Sequence, residues 1–460
     1  MKRCVSLLLA LAMLAALVGC GPKEGGKEPK VDGEHAPQVL AAASYPEMAP
    51  YPDEMAFVNK TTGEFDDEGF SQVYDAWRAD KLARQSQPEG YADGLDGFFA
   101  RSIRQLLSGA AGENRVYSPL NVYMALCMLA ELTDGESRGQ ILKLLGAESV
   151  EALRTQAENV WNGSYCDDGA VTSVLAGSLW LNQSIGFVQE TMDALAAHYH
   201  ASAYRGEMGS PELNQALQDW LNQQTGGLLA EQVAGVETDP LTILALATTV
   251  YFRAKWDREF SESATAEAVF HAPEGDVTAE FMHQGGARNY YWSEKFSAVS
   301  QRLEGSGSMW LLLPDEGVSP EELLADEKTT DFILADGDWA DSKYLVVNLS
   351  LPKFDAASDT DLIPGLKALG VTDVFDAKLA DFSPMTTDTS EVSLSQAKHA
   401  ARVKIDEEGV VAAAYTVMMA AGAAMPPEEE IDFTLDRPFL FAMTGADGLP
   451  LFVGVVNQPN

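Results

Sequence analysis

Apolar residues recur at helical spacing through much of the first half of the chain. From Leu95 to Leu107 they fall on one face and the pattern stops at Gly109, which predicts a helix with one buried side. Ser118-Pro119 is a typical helix start, because serine caps free backbone N–H groups and proline suits the first turn. The segment that follows, residues 120–132, is apolar nearly all round and is therefore expected to be a buried helix.

The same opening signal at Ser210-Pro211 predicts a helix that closes at Gly226. Apolar runs rich in β-branched and aromatic residues predict strands further along, at residues 241–252, 309–313 and 344–351. Residues 438–444 and 451–456 flank a Gly-Ala-Asp-Gly turn and predict a terminal hairpin. Because helices come first and strands later, the pattern indicates an α+β fold rather than an alternating doubly wound sheet.

The N-terminus carries an export signal. Lys2 and Arg3 precede an uncharged apolar run, and Leu17-Val18-Gly19-Cys20 follows as a lipobox. A transmembrane helix is the alternative, but roughly 15 apolar residues fall short of the ~20 that span a bilayer. The segment resembles bacterial lipoprotein precursors, so residues 1–20 are expected to be the signal peptide with its lipobox cysteine, and Cys20 the lipid anchor on the extracellular face.

Three further regions follow along the chain. Residues 21–38 are mostly Gly, Pro, Lys and Glu and predict a flexible tether, because this composition cannot bury a core. Residues 39–90 contain scattered aromatic residues without a clean period and are expected to form an extension of unassigned role. Residues 91–460 contain no further break or internal repeat and are predicted to fold as one unit.

The charge and the cysteines exclude several classes of protein. Removing residues 1–19 takes away Lys2 and Arg3 and no acidic residue, which moves the net charge from -38 to -40. Such a charge argues against nucleic acid as a partner and against membrane contact beyond the lipid. Only Cys127 and Cys166 remain for the folded part, so a disulfide framework is excluded and one bridge between them is left open.

The segment after Glu407-Glu408-Gly409 is unusual in so acidic a chain, because no charge appears from Val410 to Pro427. A single strand would be shorter, at about 5 or 6 residues, and a membrane span would be longer. A buried core helix is a further alternative, since the alanines suit one. The remaining interpretation is a segment that is exposed as a loop in one state and inserted in a sheet in another.

The composition of this segment is compatible with insertion into a sheet. Side chains of one parity are all apolar or small, and no proline interrupts the segment before Pro426. The residues of this parity are Val410, Ala412, Ala414, Thr416, Met418 and Ala420. If about 14 residues gain ladder hydrogen bonds worth ~0.5 to 1.5 kcal/mol each, insertion releases on the order of 10 kcal/mol.

The segment and its surroundings resemble the serpins. Glu407-Glu408-Gly409 with the small residues after it looks like the serpin proximal hinge, and residues 433–441, Phe-Thr-Leu-Asp-Arg-Pro-Phe-Leu-Phe, look like the serpin signature after the reactive loop. The hinge positions are Glu407, Glu408, Gly409, Val410, Ala412, Ala413, Ala414 and Thr416. The resemblance implies helices packed on a large mixed or antiparallel sheet with an exposed reactive-centre loop.

The resemblance also implies a function, which is irreversible inhibition of serine proteases by a suicide-substrate mechanism. The protease cuts the loop, forms an acyl-enzyme and is carried across the inhibitor as the loop inserts, in a covalent complex with a monomeric inhibitor. The usual loop spacing places the scissile bond at Ala423-Ala424, with Met419 or Ala421 as alternatives in another register. A small residue there suits elastase-like or subtilisin-like targets.

Further positions match the sites at which the serpin sheet opens, called the shutter and the breach. They are Ser118, Thr248, His399, Trp256 and Lys353, and Lys353 with Glu407 matches a pair that clamps the loop base. Thr248 departs from the family, which usually has asparagine there, so the local hydrogen bonds are expected to differ. Val411 and Tyr415 depart within the hinge, but both have the outward parity.

Two other functional classes compete with inhibition. An enzyme would need Ser118 and His399 as nucleophile and base, yet no Gly-x-Ser-x-Gly elbow, phosphate loop or metal-spaced set of ligands occurs. Ser118 is better explained as a helix cap, His399 as a buried histidine, and neither a cofactor nor a metal is expected. A non-inhibitory serpin-fold binding lipoprotein is the alternative, and it predicts a loop that does not insert after cleavage.

Overall fold

The fold was obtained as a computed structural model, which describes residues 36–109, 112–305, 307–388, 392–410 and 427–459. The α-helices are α1 Asp67–Gln85, α2 Leu95–Leu107, α3 Pro119–Leu132, α4 Gly135–Leu145, α5 Val150–Ser164, α6 Gln189–Tyr199, α7 Pro211–Gln224, α8 Ala230–Val233, α9 Pro320–Leu324, α10 Glu327–Leu334 and α11 Ile363–Ala368. The strands are β1 Gln38–Ala41, β2 Arg115–Tyr117, β3 Cys166–Asp167, β4 Thr172–Asn182, β5 Ala201–Gly206, β6 Leu244–Lys255, β7 Ala266–Ala272, β8 Gly275–Trp292, β9 Phe296–Leu303, β10 Gly307–Pro314, β11 Ser342–Pro352, β12 Phe354–Asp361, β13 Lys398–Ile405, β14 Gly409–Val410, β15 Glu430–Thr434, β16 Phe439–Thr444 and β17 Pro450–Val456.

The strands form two sheets. Sheet I has the order β1-β5-β4-β6-β14-β13-β12, with β3 paired to β4. Sheet II has the order β15-β11-β8-β9-β10-β16-β17-β2, with β7 paired to β8. Both sheets are mixed, since β4 runs parallel to β5 and β11 parallel to β15 while the other pairs are antiparallel. The predicted α+β class and the mixed sheet are therefore confirmed.

Helix α3 lies at the centre of the core. Ser118 caps it by accepting a hydrogen bond from the backbone N–H of Asn121, and proline occupies the first turn. Nearly every side chain of this helix is buried, as the all-round apolar pattern predicts. The helix packs against β4 and β6 of sheet I and against β17 of sheet II, so it joins the two sheets.

Two features left open by the sequence are resolved by the structure. Cys127 and Cys166 are both buried free thiols, so they form no bridge with each other. The extension contributes β1, which pairs with β5 at the edge of sheet I and begins at Gln38, and helix α1. Within the described ranges, no helix is long and apolar enough to span a bilayer.

Candidate strand-insertion site

A two-residue strand, β14, lies between β6 and β13 at one end of sheet I. Gly409 pairs with Lys255, and Val410 pairs with both Ala254 and Ile405. Both pairings are antiparallel, and Val410 is 2% exposed. Among the residues that the structure describes, no other ladder joins β6 to β13. Beyond β14, β6 and β13 lie close together without a shared ladder, so another strand can enter between them only if they move apart.

A cavity of about 350 Å³ lies between the same strands on the far side from β14. It is lined by residues 245–249 of β6, by Lys398 and Ala400 of β13, and by apolar side chains of α7 and α8. The side chain of Thr249 lines this cavity, and its buried hydroxyl has no hydrogen-bond partner within the described chain. The space between β6 and β13 is thus incompletely packed at the end away from β14.

Gly409 is required by a close approach of two backbones. A Cβ atom at this position would lie 2.3 Å from the carbonyl oxygen of Ala254 and 2.7 Å from the Cα of Lys255. Both neighbours are backbone atoms of a central strand, so neither can rotate away. The hinge glycine, which the sequence identifies only through resemblance, has this packing explanation in the structure.

Glu407 lies in a polar cluster two residues before β14. Its Oε1 lies 2.8 Å from the Lys353 Nζ and accepts a hydrogen bond of 2.7 Å from the Thr265 hydroxyl. Burial alone would raise the pKa of Glu407, but the hydrogen bonds from Lys353 and Thr265 outweigh it and lower the pKa. Lys353 also lies 3.5 Å from the Glu280 carboxylate, so the cluster joins sheet II to the hinge.

Trp256 holds the turn that precedes β14. Its indole Nε1 donates to the carbonyl of Asp406 at 2.8 Å, and its backbone N–H donates to the carbonyl of Glu408 at 3.0 Å. The Asp406 side chain accepts from the backbone N–H groups of Glu408 at 3.0 Å and Gly409 at 3.2 Å. The ring of Trp256 is fully buried, so this turn is fixed to the end of β6 on a rigid support.

The predicted shutter residues meet beneath the middle of sheet I. The backbone N–H of Ser118 donates to the His399 Nε2 at 3.1 Å, and Thr248 donates to the Asn121 side-chain oxygen at 2.5 Å. His399 is 3% exposed, and burial lowers its pKa to about 4. A neutral imidazole that accepts from a backbone N–H, beside a hydroxyl used as a helix cap, does not constitute a nucleophile and base.

Three residues of this site were not found from the sequence. Asn121 lies within an apolar helix and carried no signal, yet it is the partner of the unusual Thr248. Thr265 and Asp406 organise the hinge through one and two hydrogen bonds respectively, and nothing in their sequence context distinguished them. Ala412, Ala413, Ala414, Thr416, Ala423 and Ala424 lie outside the described residues, as does Cys20.

Comparison with known proteins gives one family. The model of the family described as "Serpin (serine protease inhibitor)" matches residues 94–459. Alpha-1-antitrypsin of Meriones unguiculatus is 28% identical over 373 residues, which cover 78% of this chain and 88% of the relative. Leukocyte elastase inhibitor of Homo sapiens is 28% identical over 361 residues, which cover 75% of this chain and 93% of the relative.

Solved structures share the fold. The native state of the thermophilic serpin tengpin superposes with a TM-score of 0.72 at 24% identity, covering 81% of this chain and 95% of that one. Arabidopsis AtSerpin1 in its native stressed conformation gives a TM-score of 0.70 at 24% identity, covering 81% of this chain and 100% of that one. With most of its length matched by the family model, the chain belongs to the serpin family.

Proposed function

We propose that this protein inhibits serine proteases irreversibly, by cleavage of the segment after Val410 and insertion of that segment between β6 and β13. The observation that carries the proposal is β14, which already pairs with both strands at one end of the position to be filled. Strand insertion needs a free ladder position, and among the described residues the edges of β6 and β13 are joined to each other only through β14. The inhibitor itself contributes no catalytic group.

The register of β14 specifies where each loop residue would go. Antiparallel pairing moves one residue back along β6 for each residue forward in the loop, starting from Val410 opposite Ala254. The same count along β13 starts from Ile405. Continued without a bulge, the register brings Thr416 opposite both Thr248 and His399. Insertion would therefore reach the shutter residues Thr248 and His399 after about six residues. The cross-strand pairs formed there would stabilise sheet I.

Side-chain parity follows from Val410, which faces the core. Alternation along a strand places Ala412, Ala414 and Thr416 on the same face, against α3, and Ala413 on the opposite face. All three inward residues are small, so we expect them to fit beside the side chains of β6 and β13 that face α3. The bulky Tyr415 has the outward parity, where the same register brings it opposite Thr249, beside the cavity lined by α7 and α8 and away from α3.

The predicted scissile bond is Ala423-Ala424, and the expected targets have a shallow primary pocket. About 14 inserted residues at ~3.3 Å each would carry an attached protease roughly 45 Å along sheet I. Acyl hydrolysis requires reacting groups to be positioned within about 1 Å, so traction on the acylated serine prevents turnover. The similarity to a leukocyte elastase inhibitor supports elastase-like targets, with subtilisin-like enzymes as the other expected class.

The proposal is tested by incubating the protein without residues 1–20 with pancreatic elastase, neutrophil elastase and subtilisin. We expect a covalent complex that survives boiling in detergent, with release of a peptide that begins at Ala424. Clean cleavage of the loop without a complex, and without a gain in thermal stability, would rule out trapping and leave a serpin fold with a binding role.

A matched pair of variants tests the insertion register. Ala414→Arg places a long charged side chain on the inward face, where burial of an unpaired charge costs several kcal/mol. Ala413→Arg makes the same chemical change one residue away on the outward face. We expect the first variant to be cleaved as a substrate and the second to retain most of the complex. Equal loss in both variants would contradict the assigned parity.

We also propose that lipid on Cys20 displays the loop away from the membrane. Gln38 pairs with Arg205 near the end of β5, which lies at the same end of sheet I as Leu244, where β6 begins. The hinge pairs with Lys255, where β6 ends. The N-terminal chain therefore joins the body at the pole opposite the hinge, about 36 Å away along β6.

This display is tested by the variant Cys20→Ser. We expect the parent protein to fractionate with membranes, to carry an acyl mass increment, and to trap added elastase on intact cells. The variant should lose the acyl increment and the membrane association while it keeps inhibition in solution. Membrane association that survives the substitution would contradict the lipid anchor.

A further inference from the structure

The cavity between β6 and β13, which we call the α7–α8 cavity, has the size and lining of a small-molecule site. Its volume of about 350 Å³ lies in the range of roughly 300 to 1,000 Å³ that is usual for ligand pockets. Helix α7 packs on β6, and aliphatic side chains from α7, α8 and the residues beside α8 form one wall. These side chains are Leu217, Leu221, Leu229, Val233 and Val236.

Two buried polar atoms of the lining have no hydrogen-bond partner among the residues that the structure describes. One is the hydroxyl oxygen of Thr249, whose residue is 2% exposed, and the other is the Oε1 atom of Gln232 in α8. The preceding residue, Thr248, reaches Asn121 of α3, so the side chain of Thr249 points to the opposite face of the sheet, toward α7 and α8. Because a buried polar group is stabilised by a partner, this lining favours a ligand with a hydrogen-bonding group.

The charges at the opening of the cavity favour an uncharged ligand. Glu237, Asp359, Gln396 and Lys398 line the cavity and are exposed, so they mark its opening to solvent. The Lys398 Nζ lies 3.8 Å from the Asp359 Oδ1, so the charge of the lysine is compensated, and Glu237 adds a negative charge. The whole chain has a net charge of -38. A carboxylate would be repelled from this opening, whereas an uncharged molecule would not.

We propose that the α7–α8 cavity binds a small uncharged molecule with an aliphatic chain and a hydroxyl group, of the class of the medium-chain alcohols. The aliphatic chain lies against the leucine and valine side chains, and its burial supplies most of the affinity. A hydroxyl group both donates and accepts, so it can donate to the Gln232 Oε1 and bond the Thr249 hydroxyl in either direction. These polar contacts fix the orientation of the molecule.

The cavity overlaps the position that the loop would fill on insertion. Continued from the pairing of Val410, the register brings residues 415–419 opposite residues 245–249 of β6 and residues 396–400 of β13. All five of these β6 residues line the cavity, and so do Gln396, Lys398 and Ala400 of the other segment. A bound molecule and the inserted strand would therefore compete for the same space.

Three loop side chains would take the place of the bound molecule. Tyr415, Val417 and Met419 have the outward parity, which turns them toward α7 and α8 on insertion. They are large and mostly apolar, like the wall that they would meet. This competition rests on the proposed insertion mechanism, whereas binding in the cavity does not. The bound molecule is expected to slow the second half of insertion and to leave β14 in place.

Binding is tested by titrating the chain without residues 1–20 with 1-octanol in an isothermal titration calorimeter. We expect saturable binding of one molecule per chain and a rise in the melting temperature. Octanoate has the same number of carbon atoms but carries a carboxylate, and we expect it to bind at least tenfold more weakly. Absence of saturable 1-octanol binding, or equal binding of octanoate, would overturn the proposed ligand class.

Two variants locate the bound molecule. Thr249→Val keeps the shape of the side chain and removes the unpartnered hydroxyl, so we expect 1-octanol to bind about tenfold more weakly without a loss of stability. Ala247→Phe fills the cavity from the outward face of β6 and should abolish binding. The control is Ala268→Phe, the same change at an exposed position of β7, which should bind 1-octanol like the parent. Unchanged binding in both cavity variants would overturn the site.

The competition is tested with elastase. We expect saturating 1-octanol to raise the number of inhibitor molecules cleaved for each protease molecule trapped by about fivefold. At the same concentration of 1-octanol, the rise should be smaller in Thr249→Val. The rate at which elastase cleaves a short peptide, measured with and without 1-octanol, controls for an effect on the protease. Saturable binding with an unchanged ratio would overturn the competition.

The two proposals fail separately. If 1-octanol binds to the parent and is lost in the cavity variants but elastase is never trapped, the inhibitor proposal fails and the ligand site is supported. If elastase is trapped and 1-octanol does not bind, the ligand site alone is overturned.

Discussion

The variant Gly409→Ala adds one methyl group where two backbones meet. The new Cβ would lie 2.3 Å from the carbonyl oxygen of Ala254 and 2.7 Å from the Cα of Lys255, so β14 cannot keep its place between β6 and β13. Loss of its ladder bonds costs about 0.5 to 1.5 kcal/mol each, and exposure of Val410 adds up to ~1.5 to 3 kcal/mol. The hinge is thus expected to be destabilised by roughly 3 to 6 kcal/mol.

This destabilisation acts on the competition between insertion and deacylation. If about 3 kcal/mol of it raises the insertion barrier, insertion slows about 100-fold, because each 1.4 kcal/mol is tenfold in rate. The acyl-enzyme then hydrolyses first and the protein is consumed as a substrate. The assay titrates elastase with the variant and measures how many inhibitor molecules are cleaved for each protease molecule trapped, and we expect a rise of at least tenfold.

The control is Gly139→Ala, the same change in helix α4 at a position where a Cβ would have no neighbour within 4 Å. It should leave the ratio of cleaved to trapped molecules unchanged. A Gly409→Ala variant that traps elastase as efficiently as the parent would refute the argument that insertion requires the close approach of Gly409 to the backbone of β6.

Three further predictions concern the polar residues around the strand position. Burial lowers the pKa of His399 to about 4, so the stability that its neutral form contributes is complete above pH 6.5 and about 3 kcal/mol of it is lost as the pH falls toward 4. The variant His399→Gln should therefore show a weaker dependence of the melting temperature on pH between 4 and 6.5. Parallel curves of melting temperature against pH for the variant and the parent would contradict this. Lys353→Met should lower the free energy of unfolding by about 1 to 3 kcal/mol in urea titrations, and little further loss should follow when Glu407→Gln is added; additive losses would show that the two residues are not coupled. Thr248→Val leaves the Asn121 oxygen without its donor and should cost about 1 to 3 kcal/mol in the same assay, whereas no loss would mean that this bond carries no stability.

The helices of the first half could be predicted because their signals are local. Ser118-Pro119 and Ser210-Pro211 both start helices as the capping pattern indicates, and Gly226 follows the end of α7 with a φ of +59°. The terminal hairpin, β16 and β17, also lies where the apolar runs placed it. In each case the residues that specify the element lie within it or beside it.

The first strands of sheet I could not be predicted in the same way. Every residue of β4 is buried, so the strand shows none of the alternation that marks a half-exposed strand. Strand β1 has only 4 residues, and its place is determined by the edge of β5, which lies far away in sequence. Lys81 looks like a surface charge of a polar helix until Asp168 is placed beside it.

The candidate site was likewise predictable only in part from the sequence. The resemblance brought Glu407, Gly409, Trp256 and Lys353 to attention as separate positions, and the structure places all of them around β14. The partners that make these residues effective, among them Thr265 and Asn121, are contributed by long-range contacts. Such contacts leave no periodicity or motif in the sequence.

Conversion of the cleaved loop into a strand between β6 and β13 is tested by a crystal structure of the protein after cleavage by elastase. We expect a continuous strand from Gly409 onward, with Thr416 opposite Thr248 and His399, and with Ala412 and Ala414 facing α3. A cleaved loop that remains outside sheet I, with β14 still ending at Val410, would contradict it.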